Sequence, residues 1–556
     1  MLIPYIICKA NKRKNGKLDA QKYYDFILTK HQDTMSTLLH QLIFNSATKF
    51  PHNIALRSKS DTVDYKSLMN EVTTIGHGFL NSGISEGDRI AVYLPKRFEA
   101  VISFFAASYA GIVFVPINPL LKPAQVAYIL KDCNVQILIS SDDRLRNLKD
   151  TLDNCHDLYL VIDVDNKAKN DEMSHYKLEQ WQNIKTSKAI PAYARKEMDI
   201  IAILYTSGST GGPKGVVLSH KNLILGAESV AQYLKNTVDD NLLAVLPFSF
   251  DYGLSQLTTA FYVGACVTLM DYLLPRDVIN TIDKYKITGL AGVPTMWNQL
   301  ANLEWEKGNS LRYISNSGGT LPSSTLSKLR ALIPNTEIYL MYGLTEAFRS
   351  TYLDPKDINK KPSSIGKAIP NAEIFVVRND GSICDVDEPG ELVHCGPLVS
   401  LGYWNKPEKM AKTFKPAPSQ QENTTECAIA VWSGDKVKRD KEGCLYFISR
   451  EDEMIKTSSY RVSPTEIEDV VYASGLVTEA VAIGVSHPDI GQAIVLIATQ
   501  ANQVTKEDLL SACKQNLPTF MLPAHIEFVE EMPKNSNGKI DRISLASQFS
   551  DIFASG

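Results

Sequence analysis

Short apolar runs alternate with helix-like stretches along most of the chain. DRIAVYLP (88–95), IVFVPIN (112–118) and VQILISS (135–141) have the length and the branched side chains of buried strands. Between the first two, FEAVISFFAASYAG is apolar on nearly every side and ends at Gly111, as a buried helix does. Strand–helix–strand units place their strands in parallel. The sequence therefore predicts an α/β fold with helices on both faces of parallel-rich sheets.

The same rhythm returns at NLLAVLPF (241–248), GACVTLMD (264–271) and ITGLAGVP (287–294). Ligands bind at the carboxyl ends of strands in such sheets, so we expect the functional site in the loops that follow them. Two polar stretches interrupt the pattern. Residues 163–197 are predicted to contain no strand, and residues 415–426 are predicted to form a flexible loop.

The last hundred or so residues have the pattern of a small α+β unit. PTEIEDVVYAS and KEDLLSACKQNL are predicted helices, the second capped by Thr505, and VTEAVAIGV and AIVLIATQ are predicted strands. We therefore expect a poorly ordered extension at 1–34, a large domain at 35–451 and a small, mobile domain at 452–556.

Composition excludes several classes of protein. Of the 556 residues, 44% are hydrophobic and 22% are charged, as in a globular protein of more than one domain. Lys and Arg number 58 against 62 Asp and Glu, so the basic excess of a nucleic-acid binder is missing. Nine scattered cysteines without a C-x-x-C pair favour a reducing compartment, the cytoplasm, over disulfides or zinc. No apolar run reaches the roughly 18 residues of a transmembrane helix.

The strongest local signal is the run IAILY (201–205) followed by TSGSTGGPKG (206–215). Its glycines allow tight turns that bring backbone N–H groups close to an anion, while hydroxyls and one lysine add donors and charge. The run predicts a polyphosphate site made by Thr206, Ser207, Gly208, Ser209, Thr210 and Lys214. A flexible Gly/Ser turn without a ligand is the alternative. His220, just downstream, is predicted to be structural at a helix start.

With these residues the chain resembles the adenylate-forming (AMP-binding) superfamily of acyl- and aryl-CoA synthetases, stand-alone amino-acid adenylating enzymes and luciferases. The resemblance runs from about residue 36 to 545, with separate motifs in family order. It implies that TSGSTGGPKG closes over the β- and γ-phosphates of ATP. It further implies that NSGGTLP (316–322) lies against adenine, through Gly318, Gly319 and Thr320.

Three further motifs carry implied roles. In YGLTE (342–346), Tyr342 and Gly343 would lie at the adenine, Thr345 at the α-phosphate, and Glu346 would hold Mg²⁺. In the segments that follow, Asp435 would bind the ribose hydroxyls, Arg450 would be a second ribose or phosphate contact, and Lys539 of MPKNSNGKIDR would be the catalytic lysine.

The resemblance implies two half-reactions, formation of an acyl-adenylate from Mg-ATP and transfer of the acyl group to a thiol. The small domain would rotate between them about a hinge at Asp452. Ser449 and Ser459 stand where the family commonly has glycine, so the acceptor stays open between CoA and another thiol.

The acid pocket is expected within LPFSFDYGLSQL (246–257) and nearby turns. Phe250 stands where many acyl-CoA synthetases carry histidine, and FSFD resembles amino-acid adenylating enzymes, in which the residue matching Asp251 pairs with the substrate ammonium. Asp251 as a surface or helix-capping residue is the alternative. Arg349 is predicted to form a structural ion pair, with an anionic substrate group as the alternative. The predicted lining residues are Phe250, Asp251, Gly253, Leu254, Val293, Pro294, Thr295 and Ser317.

Three functions follow from these patterns. The first is an ATP- and Mg²⁺-dependent, AMP-forming carboxylate–thiol ligase that uses CoA or phosphopantetheine as acceptor. The second is an amino-acid ligase that loads a carrier protein, with Asp251 on the ammonium. The third, from another class, is a non-catalytic nucleotide-binding protein. The expected partners are a small carboxylic or amino acid and, for the second function, an acyl or peptidyl carrier protein.

Overall fold

The computed structural model describes residues 36–167, 174–206, 213–305, 309–418, 429–450, 454–457, 460–487, 490–501, 503–535 and 538–553. The described strands are, in chain order, β1 (Ile54–Ser58), β2 (Asp61–Asp64), β3 (Arg89–Tyr93), β4 (Val113–Pro116), β5 (Val135–Ser140), β6 (Leu160–Asp163), β7 (Lys177–Gln180), β8 (Ile200–Thr206), β9 (Lys214–Ser219), β10 (Asn241–Ala244), β11 (Cys266–Leu269), β12 (Gly289–Gly292), β13 (Tyr313–Asn316), β14 (Glu337–Tyr342), β15 (Thr351–Leu353), β16 (Lys367–Ala368), β17 (Glu373–Val377), β18 (Gly390–Cys395), β19 (Gly402–Tyr403), β20 (Phe414–Pro416), β21 (Ile429–Arg439), β22 (Leu445–Arg450), β23 (Ile455–Thr457), β24 (Tyr460–Val462), β25 (Val477–His487), β26 (Gly491–Gln500) and β27 (His525–Phe528).

The described helices are α1 (Gln41–Lys49), α2 (Tyr65–Asn81), α3 (Phe98–Ala110), α4 (Pro123–Asp132), α5 (Asp142–Leu152), α6 (Trp181–Ile184), α7 (His220–Leu234), α8 (Asp251–Val263), α9 (Pro275–Tyr285), α10 (Pro294–Leu300), α11 (Ser323–Leu332), α12 (Pro407–Thr413), α13 (Pro464–Ala473), α14 (Lys506–Asn516) and α15 (Arg542–Gln548). Among the described residues, none of these helices is both long enough and apolar enough to cross a membrane.

Two large sheets form the frame of the N-terminal part. One has the order β19-β9-β8-β4-β3-β5-β6-β7, and the other has the order β16-β15-β14-β13-β12-β10-β11-β1-β2. Their inner strands pair in parallel, as β3 does with β4 and β5, and β13 with β12 and β14. The predicted α/β class with parallel-rich sheets is confirmed. A smaller antiparallel sheet of β17, β18, β20, β21 and β22 lies beside them.

Helices α3 and α8 are buried along nearly their whole lengths, and they pack within one core shared by both large sheets. Phe105 of α3 contacts Phe261 of α8, with ring centroids 5.2 Å apart. Helix α3 ends at Gly111, whose φ of 82° is the left-handed conformation that glycine adopts at low cost. A helix that is apolar all round requires such enclosure, so the predicted buried helix is confirmed.

The C-terminal part is an α+β unit, as the sequence predicts. Strands β24, β23, β26, β25 and β27 form its sheet, and α13, α14 and α15 accompany it. The predicted cap at Thr505 is present, because its side chain accepts a hydrogen bond from the Asp508 N–H. The predicted hinge, Asp452, lies outside the described residues, and the boundary at 451 stays a prediction.

The prediction that residues 163–197 contain no strand is wrong. β7 pairs in parallel with β6, and the short helix α6 follows it. The sequence KLEQ of β7 has no apolar pattern that would predict a strand. It forms one at the edge of the sheet because its backbone hydrogen bonds to β6 hold it there. Of the predicted loop at 415–426, residues 415 and 416 belong to β20, which pairs with β21, and residues 419–426 lie outside the described part. The extension at 1–34 also lies outside it.

Candidate active site

The predicted adenine motifs begin at the carboxyl ends of two adjacent strands. β13 and β14 run in parallel with Asn316 opposite Leu340, so the turn after β13 lies beside the segment that begins at Tyr342. Gly318 in this turn has φ of 85°, which favours glycine, and Gly319 and Thr320 are exposed. The sheet topology thus creates an open edge with exposed backbone, as a nucleotide base requires.

Tyr342, Asp435 and Arg450 lie together next to this edge. The Tyr342 hydroxyl donates to Oδ2 of Asp435 over 2.5 Å, and Nε of Arg450 lies 3.1 Å from Oδ1. Asp435 and Arg450 are direct partners in the β21–β22 ladder. Burial, together with the Asp435 charge, raises the pKa of Tyr342 well above its ordinary value, so the phenol stays protonated and donates.

Lys214, Glu346 and Tyr403 form a closed triangle of hydrogen bonds. Lys214 Nζ lies 2.8 Å from Oε1 of Glu346 and 2.7 Å from the Tyr403 hydroxyl, and that hydroxyl donates to the same Oε1 over 2.6 Å. Lys214 opens β9 opposite Thr206, the last residue of β8, so the two ends of the predicted phosphate loop are held together. The loop residues Ser207, Gly208, Ser209 and Thr210 lie outside the described part.

Tyr403 belongs to this cluster although nothing in the sequence indicates it. It lies 57 residues from Glu346 in the chain, and the pairing of β19 with β9 brings it to Lys214. No spacing near Tyr403 could have indicated that partner, because the pairing is decided by the sheet.

Burial would by itself raise the pKa of Glu346, but the neighbouring Lys214 charge and the hydrogen bonds from Lys214 and Tyr403 outweigh it and leave the pKa below its ordinary value. The carboxylate is therefore ionised at neutral pH. No cluster of three or more metal-ligating His, Cys, Asp or Glu is present in the described ranges. A single buried carboxylate nevertheless fits Mg²⁺, which proteins commonly hold with one or two carboxylates and the phosphates of the substrate.

Lys539 comes from the C-terminal part to the same edge of the sheet. Its Nζ lies 5.4 Å from the centroid of the Phe250 ring, within range of a cation–π contact. The Thr295 hydroxyl donates to the carbonyl of Gly538 over 2.9 Å and fixes the loop that carries Lys539. The structure therefore brings Lys539 next to two predicted site residues, Phe250 of the acid pocket and Gly318 of the adenine turn.

Comparison with known proteins identifies the family. A family model described as AMP-binding enzyme matches residues 43–404, and one described as AMP-binding enzyme C-terminal domain matches residues 466–539. The chain belongs to the AMP-binding enzyme family.

Curated relatives cover nearly the whole chain. The L-proline–[L-prolyl-carrier protein] ligase of Pseudomonas fluorescens is 29% identical over 524 residues, 92% of this chain and 99% of that protein. A long-chain-fatty-acid–CoA ligase of Bacillus subtilis is 26% identical, over 92% of this chain and 94% of its own. Among solved structures, the anthranilate CoA ligase AuaEII with anthranoyl-AMP gives a TM-score of 0.83 at 24% identity, covering 94% of this chain and 100% of that one. ATP-bound MatB from Rhodopseudomonas palustris gives a TM-score of 0.81 at 23% identity, covering 93% of this chain and 100% of that one. These structures support the fold.

Asp251, one of the predicted acid-pocket residues of this AMP-binding enzyme, belongs to a buried ion pair. Oδ2 of Asp251 lies 2.6 Å from Nη1 of Arg349, and both side chains are only 2–3% exposed. The Thr345 hydroxyl donates to Oδ1 of Asp251 over 3.0 Å. Arg349 thus meets the need of the buried carboxylate for a partner, and the predicted structural ion pair of Arg349 is present.

The turn between Glu346 and Arg349 is strained. Phe348 has φ of 58° and ψ of -55°, which a non-glycine residue adopts only at a cost of about 1–3 kcal/mol. Its fully buried ring packs against Gly226 of α7, where a Cβ would lie 2.3 Å from the ring. Packing therefore holds the turn that presents Thr345 and Glu346.

The remaining predicted residues lie around this site with packing roles of their own. A Cβ on Gly253 would lie 2.0 Å from the Pro247 carbonyl oxygen, and Leu254 is fully buried in the core. Val293 is buried, and Pro294 begins α10. A role for any of them in acid binding stays a prediction. His220 begins α7 and accepts a hydrogen bond from the Leu39 N–H at Nδ1, which fits the predicted structural role.

Gly318→Ala tests the contact between the predicted adenine turn and Lys539. A Cβ there would lie 2.8 Å from Cε of Lys539, so we expect the lysine to be displaced and adenylation to fall about tenfold. Gly381→Ala is the matched control, since Gly381 has φ of 88° but a Cβ at that position would meet no other atom within 4 Å. Equal pyrophosphate-exchange rates in the two variants would contradict the expectation.

Proposed function

We propose that this AMP-binding enzyme is an ATP- and Mg²⁺-dependent ligase that converts a carboxylic acid to an acyl-adenylate and passes the acyl group to a thiol. The observation that carries the proposal is the position of Lys539 beside Phe250 and Gly318, at the edge of the sheet that also presents Tyr342. Relatives that join a fatty acid to CoA and proline to a carrier protein support thiol transfer.

In this proposal each described cluster takes one part of the nucleotide. The half-buried Tyr342 ring and the glycines after β13 hold adenine, while the two oxygens of Asp435 accept from the ribose hydroxyls with Arg450 alongside. Lys214 and the loop before it bind the β- and γ-phosphates. Bound at Glu346, Mg²⁺ would neutralise phosphate charge.

The reaction follows from where the charges lie. The substrate carboxylate attacks the α-phosphorus, pyrophosphate leaves, and negative charge grows on the α-phosphate oxygens. The ammonium of Lys539 is the group proposed to stabilise that charge, and the Thr345 hydroxyl would join it by turning its single proton from Asp251 to the phosphate. AMP is then a far better leaving group than carboxylate oxygen when a thiolate attacks the acyl carbon. Rotation of the small domain about Asp452 would withdraw Lys539 for this second step.

A second candidate is loading of an amino acid onto a carrier protein, which the relative from Pseudomonas fluorescens favours. Its predicted ammonium ligand, Asp251, already has Arg349 and Thr345 as partners. A substrate ammonium is therefore not needed to balance the Asp251 charge, and an amino acid would share the carboxylate with Arg349. We therefore rank an acyl acid without an ammonium group first.

Pyrophosphate exchange across fatty, aromatic and amino acids tests the proposal. We expect at least one acid to support exchange, and its adenylate to be transferred either to CoA or to a carrier-protein phosphopantetheine thiol. Exchange with an amino acid that is lost in the double variant Asp251→Asn/Arg349→Met would favour the second candidate. ATP binding without exchange for any acid would instead leave a non-catalytic nucleotide-binding protein.

The buried thiols favour the cytoplasm as the location of this enzyme. Cys133, Cys155 and Cys513 are buried and carry free thiols. Thiols of this kind suit a reducing compartment.

A further inference from the structure

Two backbone hydrogen bonds hold the segments that carry Lys214, Glu346 and Tyr403 together. The Ser400 N–H donates to the Glu346 carbonyl over 2.8 Å, and the Trp404 N–H donates to the Gly215 carbonyl over 2.8 Å. The segment 400–404 therefore ties the turn that carries Glu346 to the strand that carries Lys214. Glu346 and Tyr403 are buried, so the ion pair between Lys214 and Glu346 is stronger than the exposed pairs of a protein surface.

One oxygen of Glu346 takes both contacts. Oε1 faces Lys214 Nζ and also accepts from the Tyr403 hydroxyl. The Lys214 ammonium additionally lies over the Tyr403 ring, 4.4 Å from its centroid. Lys214 therefore occupies Glu346, the carboxylate proposed to bind Mg²⁺. The same lysine is also proposed to bind the phosphates of ATP, and it cannot do both from this position.

Two cations cannot share one buried carboxylate at low energetic cost. A dication on either oxygen of Glu346 would lie within a few ångströms of the Lys214 ammonium, and the repulsion between like charges is strong where water is largely excluded. The Tyr403 hydroxyl carries no charge, so it can stay on Glu346 in either case.

We propose that Lys214 and Mg²⁺ compete for Glu346, and that Tyr403 is the positioning residue that holds the carboxylate through the exchange. The inference rests on the proposed function and deepens it. Mg²⁺ then has a second effect besides neutralising phosphate. By displacing Lys214 from Glu346, it frees the ammonium for the phosphates of ATP, and without the metal Lys214 stays engaged and ATP binds weakly.

Isothermal titration calorimetry with ATP in EDTA measures ATP binding without metal. It separates the hold of Glu346 on Lys214 from simple repulsion between the Glu346 carboxylate and phosphate. We expect Glu346→Gln to bind metal-free ATP at least about fivefold more tightly than the unaltered enzyme, because Lys214 loses a charge-assisted hydrogen bond. Removing a carboxylate also reduces repulsion of phosphate. The same change is therefore made in a Lys214→Met background, where only the gain from reduced repulsion can remain and we expect the total gain to be clearly smaller. A gain of equal size in that background, or no gain with Lys214 present, would overturn the proposal.

Tyr403→Phe tests the positioning role without altering charge. We expect the Mg²⁺ concentration for half-maximal ATP binding to rise about tenfold, as when a group that orients a metal ligand is removed. Tyr93→Phe is the matched control, since Tyr93 and Tyr403 are both 6% exposed and Tyr93 donates to the Leu121 carbonyl instead. An unchanged Mg²⁺ requirement in Tyr403→Phe would contradict the role assigned to Tyr403.

The unaltered enzyme is titrated with Mg-ATP and assayed for pyrophosphate exchange in the same preparation. If it neither binds Mg-ATP nor supports exchange, the proposed function fails. If it does both, and the Glu346→Gln and Tyr403→Phe results are absent, only the competition for Glu346 is refuted.

Discussion

Lys539→Ala is expected to lower the rate of acyl-adenylate formation about 10²–10³-fold, the usual loss when one group that stabilises transition-state charge is removed. Lys539 lies 5.4 Å from the Phe250 ring centroid, at the edge of the sheet where the acid and the α-phosphate are proposed to meet. The measurement is pyrophosphate exchange with an acid that the unaltered enzyme accepts.

Two further measurements make this result specific. Transfer of the acyl group from supplied acyl-adenylate to the thiol should change by no more than about threefold, because Lys539 is proposed to act only in the first step. Lys506→Ala is the control, since Lys506 lies in the same C-terminal part and makes an ion pair with Glu527. Full exchange activity in Lys539→Ala would show that the catalytic lysine is misassigned.

The second large effect is expected at the buried ion pair. Arg349→Met leaves the Asp251 carboxylate without its cation, and breaking a buried pair in this way costs about 3–5 kcal/mol of unfolding free energy. The double variant Asp251→Asn/Arg349→Met removes both charges, so we expect it to recover a large part of that loss. The free energy comes from urea unfolding followed by the fluorescence of tryptophans such as the fully buried Trp297.

Arg146→Met is the matched control for this measurement. Arg146 and Asp142 are 2.7 Å apart, close to the 2.6 Å of the buried pair, but the Arg146 side chain is 72% exposed. Exposed pairs contribute about 0–1 kcal/mol, so the control should lose little. If Arg349→Met and Arg146→Met lose equal stability, burial is not what gives the Asp251–Arg349 pair its importance.

Local chemistry explains what could be predicted of the site. A base, a ribose, a phosphate and a hard cation each require particular residue types, and these types stand in short motifs around Tyr342, Asp435 and Glu346. The structure brings Tyr342 and Asp435 to within 2.5 Å, although the two residues are far apart in the chain. The resemblance supplied their roles, and those roles stay predictions until the exchange and binding experiments are done.

The sequence alone determined the α/β class and the buried helix that ends at Gly111. Both follow from local properties, namely the spacing of apolar residues and the left-handed conformation that glycine adopts at a helix end. It also indicated the polyphosphate loop before Lys214. The tertiary structure decided the partner of Asp251, the arrival of Tyr403 at Glu346, and the existence of β7 at a sheet edge. Each of these depends on which distant strand or helix packs alongside. A local hydrophobic pattern shows which face of a segment is buried, but not which distant segment packs against that face.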